Sequence, residues 1–193
     1  MPLILASSSA IRKKMLDDAG IAFSVQPADV DEAAEKKRQS RAEPLAAELA
    51  RAKALTVSGK ARGDWVIGSD SVVSVDGRLF DKPGSRAEAA EHLRFFSGKT
   101  LLLTSAVALA RSGEIDWSFT DTASLRVREL SVKFIEHYLD AEWPDVGYCV
   151  GVFRLEGRGV QLFSAIEGSH FTVMGMPLLP LLAALRERKI LEA

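Results

Sequence analysis

Asp70 stands between two hydroxyls, Ser69 and Ser71, where the apolar run Trp65-Val-Ile ends in Gly68. A buried strand reads as such a run, and α/β proteins gather ligands at the carboxyl ends of their strands, so the pattern predicts a carboxylate at a strand end. The chain then regains strand character, turns at Asp76-Gly77 as a hairpin and returns with Lys82, a cation the turn could carry back toward Asp70. A carboxylate meeting a lysine suits phosphate and metal handling. A capping Asp and a surface Lys are the plainer alternative.

A second chemical stretch lies at Ser7-Ser-Ser9, directly after the apolar Leu3-Ile-Leu-Ala6 and before Ile11, Met15, Leu16 and Ala19 at helical spacing. Strand, serine turn and helix together make an anion site of hydroxyls and backbone N–H groups. Arg12 in the first helical turn adds a forked cation, and a triphosphate would sit well there. The alternative is that Ser8 or Ser9 only caps the helix and Arg12 is solvated. Asp29, Asp31 and Glu32 offer hard oxygen ligands for Mg²⁺ or Mn²⁺, although charged loops are commonly just hydrated. Lys53 falls on an amphipathic helix, where a lysine is ordinarily a surface residue.

These groups need elements to position them. The spacing predicts strands near 3–6, 23–25, 65–73, 101–110, 117–127 and 149–156. Helices are expected over 10–19, from Pro44 to Gly59, from Arg86 behind the capping box Ser85-Arg-Ala-Glu88 to Phe96, from Ser131 to about Ala141, and from Pro177 onward. Residues 33–43 read as a mobile segment or an exposed helix. Gly157 and Gly159 do not complete a dinucleotide fingerprint.

Composition narrows the classes. With 193 residues, 47% hydrophobic and 26% charged, the chain reads as a single globular domain over 1–193, long enough to form two lobes about a cleft. A net charge of −1 gives no global field for nucleic acid, so none is expected as a partner. One cysteine, Cys149, rules out an intramolecular disulfide framework and fits a reducing compartment. No run approaches the length of a membrane span, and a cytoplasmic protein without membrane partners is expected.

Taken together, Leu5-Ala-Ser-Ser-Ser9 with Arg12, Asp31-Glu32, Ala52-Lys53-Ala54, Gly68-Ser-Asp-Ser71, Lys82-Pro83, Ser97-Gly98-Lys99 and Gly168 with Gly175-Met-Pro-Leu178 resemble the Maf-like nucleoside triphosphate pyrophosphatases, across essentially the whole chain. That resemblance implies an α/β fold of mixed α+β character and inosine-triphosphatase-like type: a twisted mixed sheet flanked by helices, with a cleft between two lobes. It implies cleavage between the α and β phosphates to a nucleoside monophosphate and pyrophosphate, a divalent cation (Mg²⁺ or Mn²⁺), and a cytoplasmic location, and it allows a homodimer. Residue by residue, it makes Asp70 the carboxylate that prepares the attacking water. Ser7, Ser9, Ser71, Arg12, Lys53 and Lys82 become substrate contacts, with Glu32 beside Asp70 as a metal ligand. Cations nearby weaken a lone Asp as a base, which favours a water activated jointly by Asp70 and the metal.

Cys149-x-Gly151-x-Phe153-x-x-Glu156-Gly-x-Gly159 looks like the family branch acting on 7-methyl-GTP, where the dTTP and UTP branch typically has Gln at Glu156. An ionised Glu accepts only, and a guanine edge offers two adjacent donors. Glu156 could instead pair with Arg154 or Arg158. Two stretches depart from the family pattern: Thr100-Leu-Leu-Leu-Thr-Ser-Ala106 replaces a histidine and a Thr-Gly-Val, and Trp143-Pro-Asp-Val-Gly-Tyr148 matches neither branch cleanly. Competing classes are a phosphatase with Asp70 as nucleophile, weakened by Val72 where a second Asp belongs, and a non-hydrolysing nucleotide sensor linked to cell division, as the family's septum-related naming suggests.

Overall fold

A computed structural model describes residues 2–61 and 63–192. The fold is mixed α/β. Its sheet runs in the order β2-β1-β3-β5-β6-β7, with β4 paired to β3. These strands are β1 (Leu3–Leu5), β2 (Ser24–Val25), β3 (Trp65–Val75), β4 (Arg78–Phe80), β5 (Thr100–Arg111), β6 (Glu114–Val127) and β7 (Phe163–Glu167). β1 is parallel to both β2 and β3, whereas β3 with β4 and β6 with β7 are antiparallel, so the sheet is mixed as expected. Seven helices accompany it among the described residues: α1 (Ala10–Asp18), α2 (Glu32–Arg38), α3 (Ala42–Ser58), α4 (Arg86–Phe96), α5 (Val132–Glu142), α6 (His170–Val173) and α7 (Leu178–Glu187). Among the described residues no helix is long and apolar enough to cross a membrane.

The chain divides into two compact units. The first comprises Met1–Ser71, Thr104–Asp121 and His170–Ala193, and the second Val72–Leu103 and Thr122–Ser169. In the first, Leu3 and Leu5 of β1, Ile67 of β3, Val107 and Leu109 of β5, Leu16 of α1 and Leu181 and Leu185 of α7 form one buried cluster. In the second, Phe80 of β4 packs edge-on against His92 and Phe96 of α4, and Arg86 of α4 reaches Glu136 and Asp140 of α5 at 2.8 and 2.6 Å.

Local chemistry explains many boundaries. Ser9, Ser85 and Ser131 each accept a backbone N–H three residues on and start α1, α4 and α5. Asp76 and Gly77, at φ 51° and 76°, form the two-residue turn between β3 and β4, a conformation Asp and Gly tolerate. Residues 33–43 hold an exposed helix, α2, rather than a structureless segment.

Four expectations change. Asp70 is not at a strand end, because β3 continues unbroken from Trp65 through Val75. Gly68 is not a stop: a Cβ there would lie 2.1 Å from the Ala50 carbonyl oxygen and 2.5 Å from the Ala54 nitrogen, so the glycine lets α3 pack flush on the strand. The stretch 149–156 forms no strand either. It winds through turns between two short 3₁₀ segments, Asp145–Tyr148 and Arg158–Leu162, because Gly159 packs against the Arg154 backbone, where a Cβ would come within 2.4 Å of a carbonyl oxygen. Lastly, α3 begins at Ala42, two residues before Pro44.

Candidate active site

Seven of the nine residues singled out for chemistry fall in the first unit: Ser7, Ser9, Arg12, Glu32, Lys53, Asp70 and Ser71. Side-chain hydrogen bonds and ion pairs join them into two groups. In one, Lys53 projects from α3 beside the Gly68 contact and places its Nζ 2.7 Å from Asp70 Oδ1 and 2.7 Å from Glu32 Oε1. The Lys53 side chain is only 12% exposed and Asp70 is buried to 9%, so the helical lysine is no surface residue. Glu32 opens α2, whose N-terminus is capped by Asp31 accepting from the Ala34 nitrogen at 3.1 Å.

Arg12 anchors the second group. Its Nε donates to the Gly175 carbonyl at 2.8 Å, Nη2 to Ser71 Oγ at 3.0 Å and Nη1 to Ser7 Oγ at 3.4 Å. Ser9 does cap α1, as one reading held, but the other half of that reading fails because the guanidinium is buried at 8% exposure. Burial pulls the Arg12 pKa below its ordinary value, and the charges of Asp70 and Glu32 oppose that shift. A guanidinium has five N–H donors, and three contacts on the protein leave two for an incoming oxyanion. One of these remaining N–H groups is on each terminal nitrogen of the fork.

Lys82 and Glu156 belong to the second unit, and both are exposed. Both act electrostatically on one neighbour, Cys149, whose thiol is pushed up chiefly by burial and further by Glu156 while Lys82 opposes the shift. Arg154 does not take Glu156 as its partner. Its guanidinium is clamped by Glu142 and Asp145, each at 2.9 Å, and no ion pair to Glu156 occurs among the described residues.

Among the described residues no three His, Cys, Asp or Glu side chains converge on one point. Asp70 and Glu32 share Lys53, and the pair is still a sufficient protein contribution for Mg²⁺ or Mn²⁺, which are commonly held by one or two carboxylates together with substrate phosphates. The donor set fits the ion.

Sequence reasoning overlooked the carbonyl of Gly175. It accepts from Arg12 Nε and from Ser69 Oγ at 3.2 Å, and lies 3.1 Å from Ser71 Oγ. A backbone acceptor leaves no side-chain signal, and its one trace is the glycine itself, at φ 105°.

The family model for Maf-like proteins matches residues 2–188. The chain belongs to the Maf-like protein family. Two relatives named nucleoside triphosphate pyrophosphatase are similar to it along nearly their whole length. One, from Nitrobacter winogradskyi, is 45% identical, and one, from Nitrobacter hamburgensis, 47%; each alignment covers 99% of this chain and 96% of the relative. A relative from Rhizobium etli named 7-methyl-GTP pyrophosphatase is 43% identical, over 96% of this chain and 95% of its own. Among solved structures, a HAM1 protein from Coxiella burnetii is similar at a TM-score of 0.45 and 12% identity, over 66% of this chain and 73% of that one. In this Maf-like chain, Lys53, Asp70 and Glu32 form one ion-paired group in the first unit and Arg12 anchors another.

Proposed function

We propose that this chain is a nucleoside triphosphate pyrophosphatase, cleaving the bond between the α and β phosphates, and that 7-methyl-GTP is its preferred substrate. The observation that carries the reaction class is the buried Lys53 holding Asp70 and Glu32 within the first unit, in a Maf-like chain whose relatives bear that name. Arg12, with two N–H donors left over from its three anchors, grips phosphate oxygens together with Ser7, Ser9 and the N-terminus of α1. Asp70 accepts a hydrogen bond from the attacking water and takes its proton. Lys53 holds both carboxylates in place, and Lys82 adds positive charge for the leaving pyrophosphate. Asp70 and Glu32 would hold Mg²⁺ or Mn²⁺, which when bound neutralises phosphate charge and makes water a better nucleophile. Positioning and charge neutralisation then account for the catalysis without a covalent intermediate.

The substrate preference rests on Glu156. An exposed carboxylate whose neighbour Arg154 is already engaged remains available to accept from the N1–H and 2-amino donors of guanine, and N7-methylation adds a positive charge that a carboxylate favours. A dTTP or UTP preference is the second reading, since the broader name that several relatives carry specifies no base. Pyrophosphate release is to be measured with Mg²⁺ or Mn²⁺ over 7-methyl-GTP, GTP, dTTP, UTP and CTP. Hydrolysis of 7-methyl-GTP at the highest kcat/KM is expected, and Asp70→Asn should lower kcat at least about a hundredfold while nucleotide still binds. A pyrimidine preference would overturn the role of Glu156. Binding without turnover on any triphosphate would leave a sensing protein, linked to cell division, in its place.

A further inference from the structure

We propose that Ser105 is a positioning residue for Arg12, acting through Ser71; the inference rests on the reading that Arg12 grips substrate phosphates. Ser105 lies on β5, fully buried, in a stretch that carries no recognised motif. Its hydroxyl is 2.8 Å from Ser71 Oγ and 2.8 Å from the carbonyl oxygen of Thr172 in α6. Because a carbonyl only accepts, the single proton of Ser105 goes to Thr172, and Ser105 must in turn accept from Ser71. Ser71 for its part accepts from Arg12 Nη2. The hydrogen bonds thus run in one direction, from Arg12 to Ser71 to Ser105 to the Thr172 carbonyl.

The Gly175 carbonyl shows why that direction matters. It has two lone pairs and three donors within reach: Arg12 Nε at 2.8 Å, Ser71 Oγ at 3.1 Å and Ser69 Oγ at 3.2 Å. By taking the Ser71 proton, Ser105 leaves the Gly175 carbonyl to Arg12 and Ser69. Without the Ser105 hydroxyl, Ser71 turns its proton to that carbonyl, 3.1 Å away, and competes with Arg12 Nε for it. The segment presenting both carbonyls is pinned from its other side by the hydroxyl of Thr172, itself fully buried, which donates to Asp121 Oδ2 at 2.5 Å. Arg12 is therefore aimed, through Ser71, by the buried Ser105 hydroxyl.

The test is steady-state pyrophosphate release by wild type, Ser105→Ala, Ser105→Cys, Ser71→Ala, the Ser105→Ala/Ser71→Ala double variant and Arg12→Lys. Inhibition by inorganic tripolyphosphate serves as a probe of phosphate binding that lacks a base. Ser105→Ala is expected to raise KM and the tripolyphosphate Ki together by about fivefold, the loss of roughly one oriented hydrogen bond, with kcat kept within about twofold. Ser105→Cys, a weak donor of similar size, should fall between wild type and Ser105→Ala. The double variant should be no worse than Ser71→Ala, since the effect of Ser105 passes through that hydroxyl. If Arg12→Lys leaves KM and Ki unchanged, the phosphate reading of Arg12 fails. If Arg12→Lys raises both while Ser105→Ala raises neither, or while the two serine effects simply add, the Arg12 reading stands and the Ser105 proposal is wrong. A lower melting temperature for Ser105→Ala with KM and Ki unmoved likewise rejects it, because that is the signature of a packing role.

Discussion

Lys53 is the residue whose meaning changes most between sequence and structure. Alone on an amphipathic helix it reads as solvated, yet it holds two carboxylates from two other elements at 2.7 Å each. Without it the ion pairs that tie Asp70 and Glu32 to α3 are lost. Replacing Lys53 by Met should therefore lower kcat/KM for the preferred triphosphate by roughly a hundredfold, a size typical of removing one group that stabilises developing charge. Lys53→Arg should recover only part of the loss, because a planar fork cannot place one nitrogen at the meeting point of two carboxylates as an ammonium does. Steady-state kinetics of the two variants side by side provides the check, and equal activity of Lys53→Met and wild type would remove Lys53 from the site. Arg12 shows the complementary case: its type and its place after a serine turn made it a phosphate candidate at once, while the carbonyl and hydroxyls that aim it were invisible.

The positioning elements depend on a single close approach. α3 delivers Lys53 to β3 because Gly68 has no side chain, and the helix backbone occupies the space a Cβ would need. Gly68→Ala should force the two apart. Both obstructing atoms nearest the new methyl are backbone, which no rotamer change can move, so a destabilisation of about 3 kcal/mol is expected, at the upper end of ordinary overpacking. The same displacement would draw Lys53 from Asp70, so activity in the variant that remains folded should fall as well. Urea unfolding followed by circular dichroism, together with the kinetic assay, measures both effects; a variant as stable and as active as wild type would refute the close packing. The loop carrying Glu156 is organised differently, with no strand to support it. Arg154 bridges it to Glu142 and Asp145, and the Tyr138 hydroxyl donates to the Val152 carbonyl at 2.9 Å. Glycines in that stretch make the chain compact rather than cradle a phosphate.

At the scale of the whole molecule, net charge is close to zero, and the pH dependence of stability turns on individual buried groups. His92 is the clearest of them. It sits between Phe80 and Phe96 with Nδ1 buried and unpartnered, and burial lowers its pKa; Arg78 reinforces that shift, while Glu88, Glu91 and Asp81 oppose it. In the unfolded chain a histidine takes up its proton near pH 6.5. The folded protein resists that proton, so as pH falls through about 6.5 the unfolded state binds more protons and stability is lost. The melting temperature of wild type should drop more steeply between about pH 7 and 5 than that of His92→Phe, which keeps a ring against its aromatic neighbours. Parallel curves for the two proteins would exclude His92 as the source. Much of this molecule was legible beforehand: the capped helices α1, α4 and α5, the Asp76-Gly77 hairpin and the long β5 and β6 strands all follow from local rules of capping, turn conformation and hydrophobic period. Those rules act over a few residues and need no knowledge of what lies across the core. Tertiary structure alone decided that Gly68 is a point of contact rather than a stop, that Lys53 turns inward to Asp70 and Glu32, and that the Gly175 carbonyl with Ser71 and Ser105 aims Arg12. Each of these joins residues far apart in the chain through backbone atoms or buried hydroxyls, and such partners are chosen by packing, which no local pattern of residue types records.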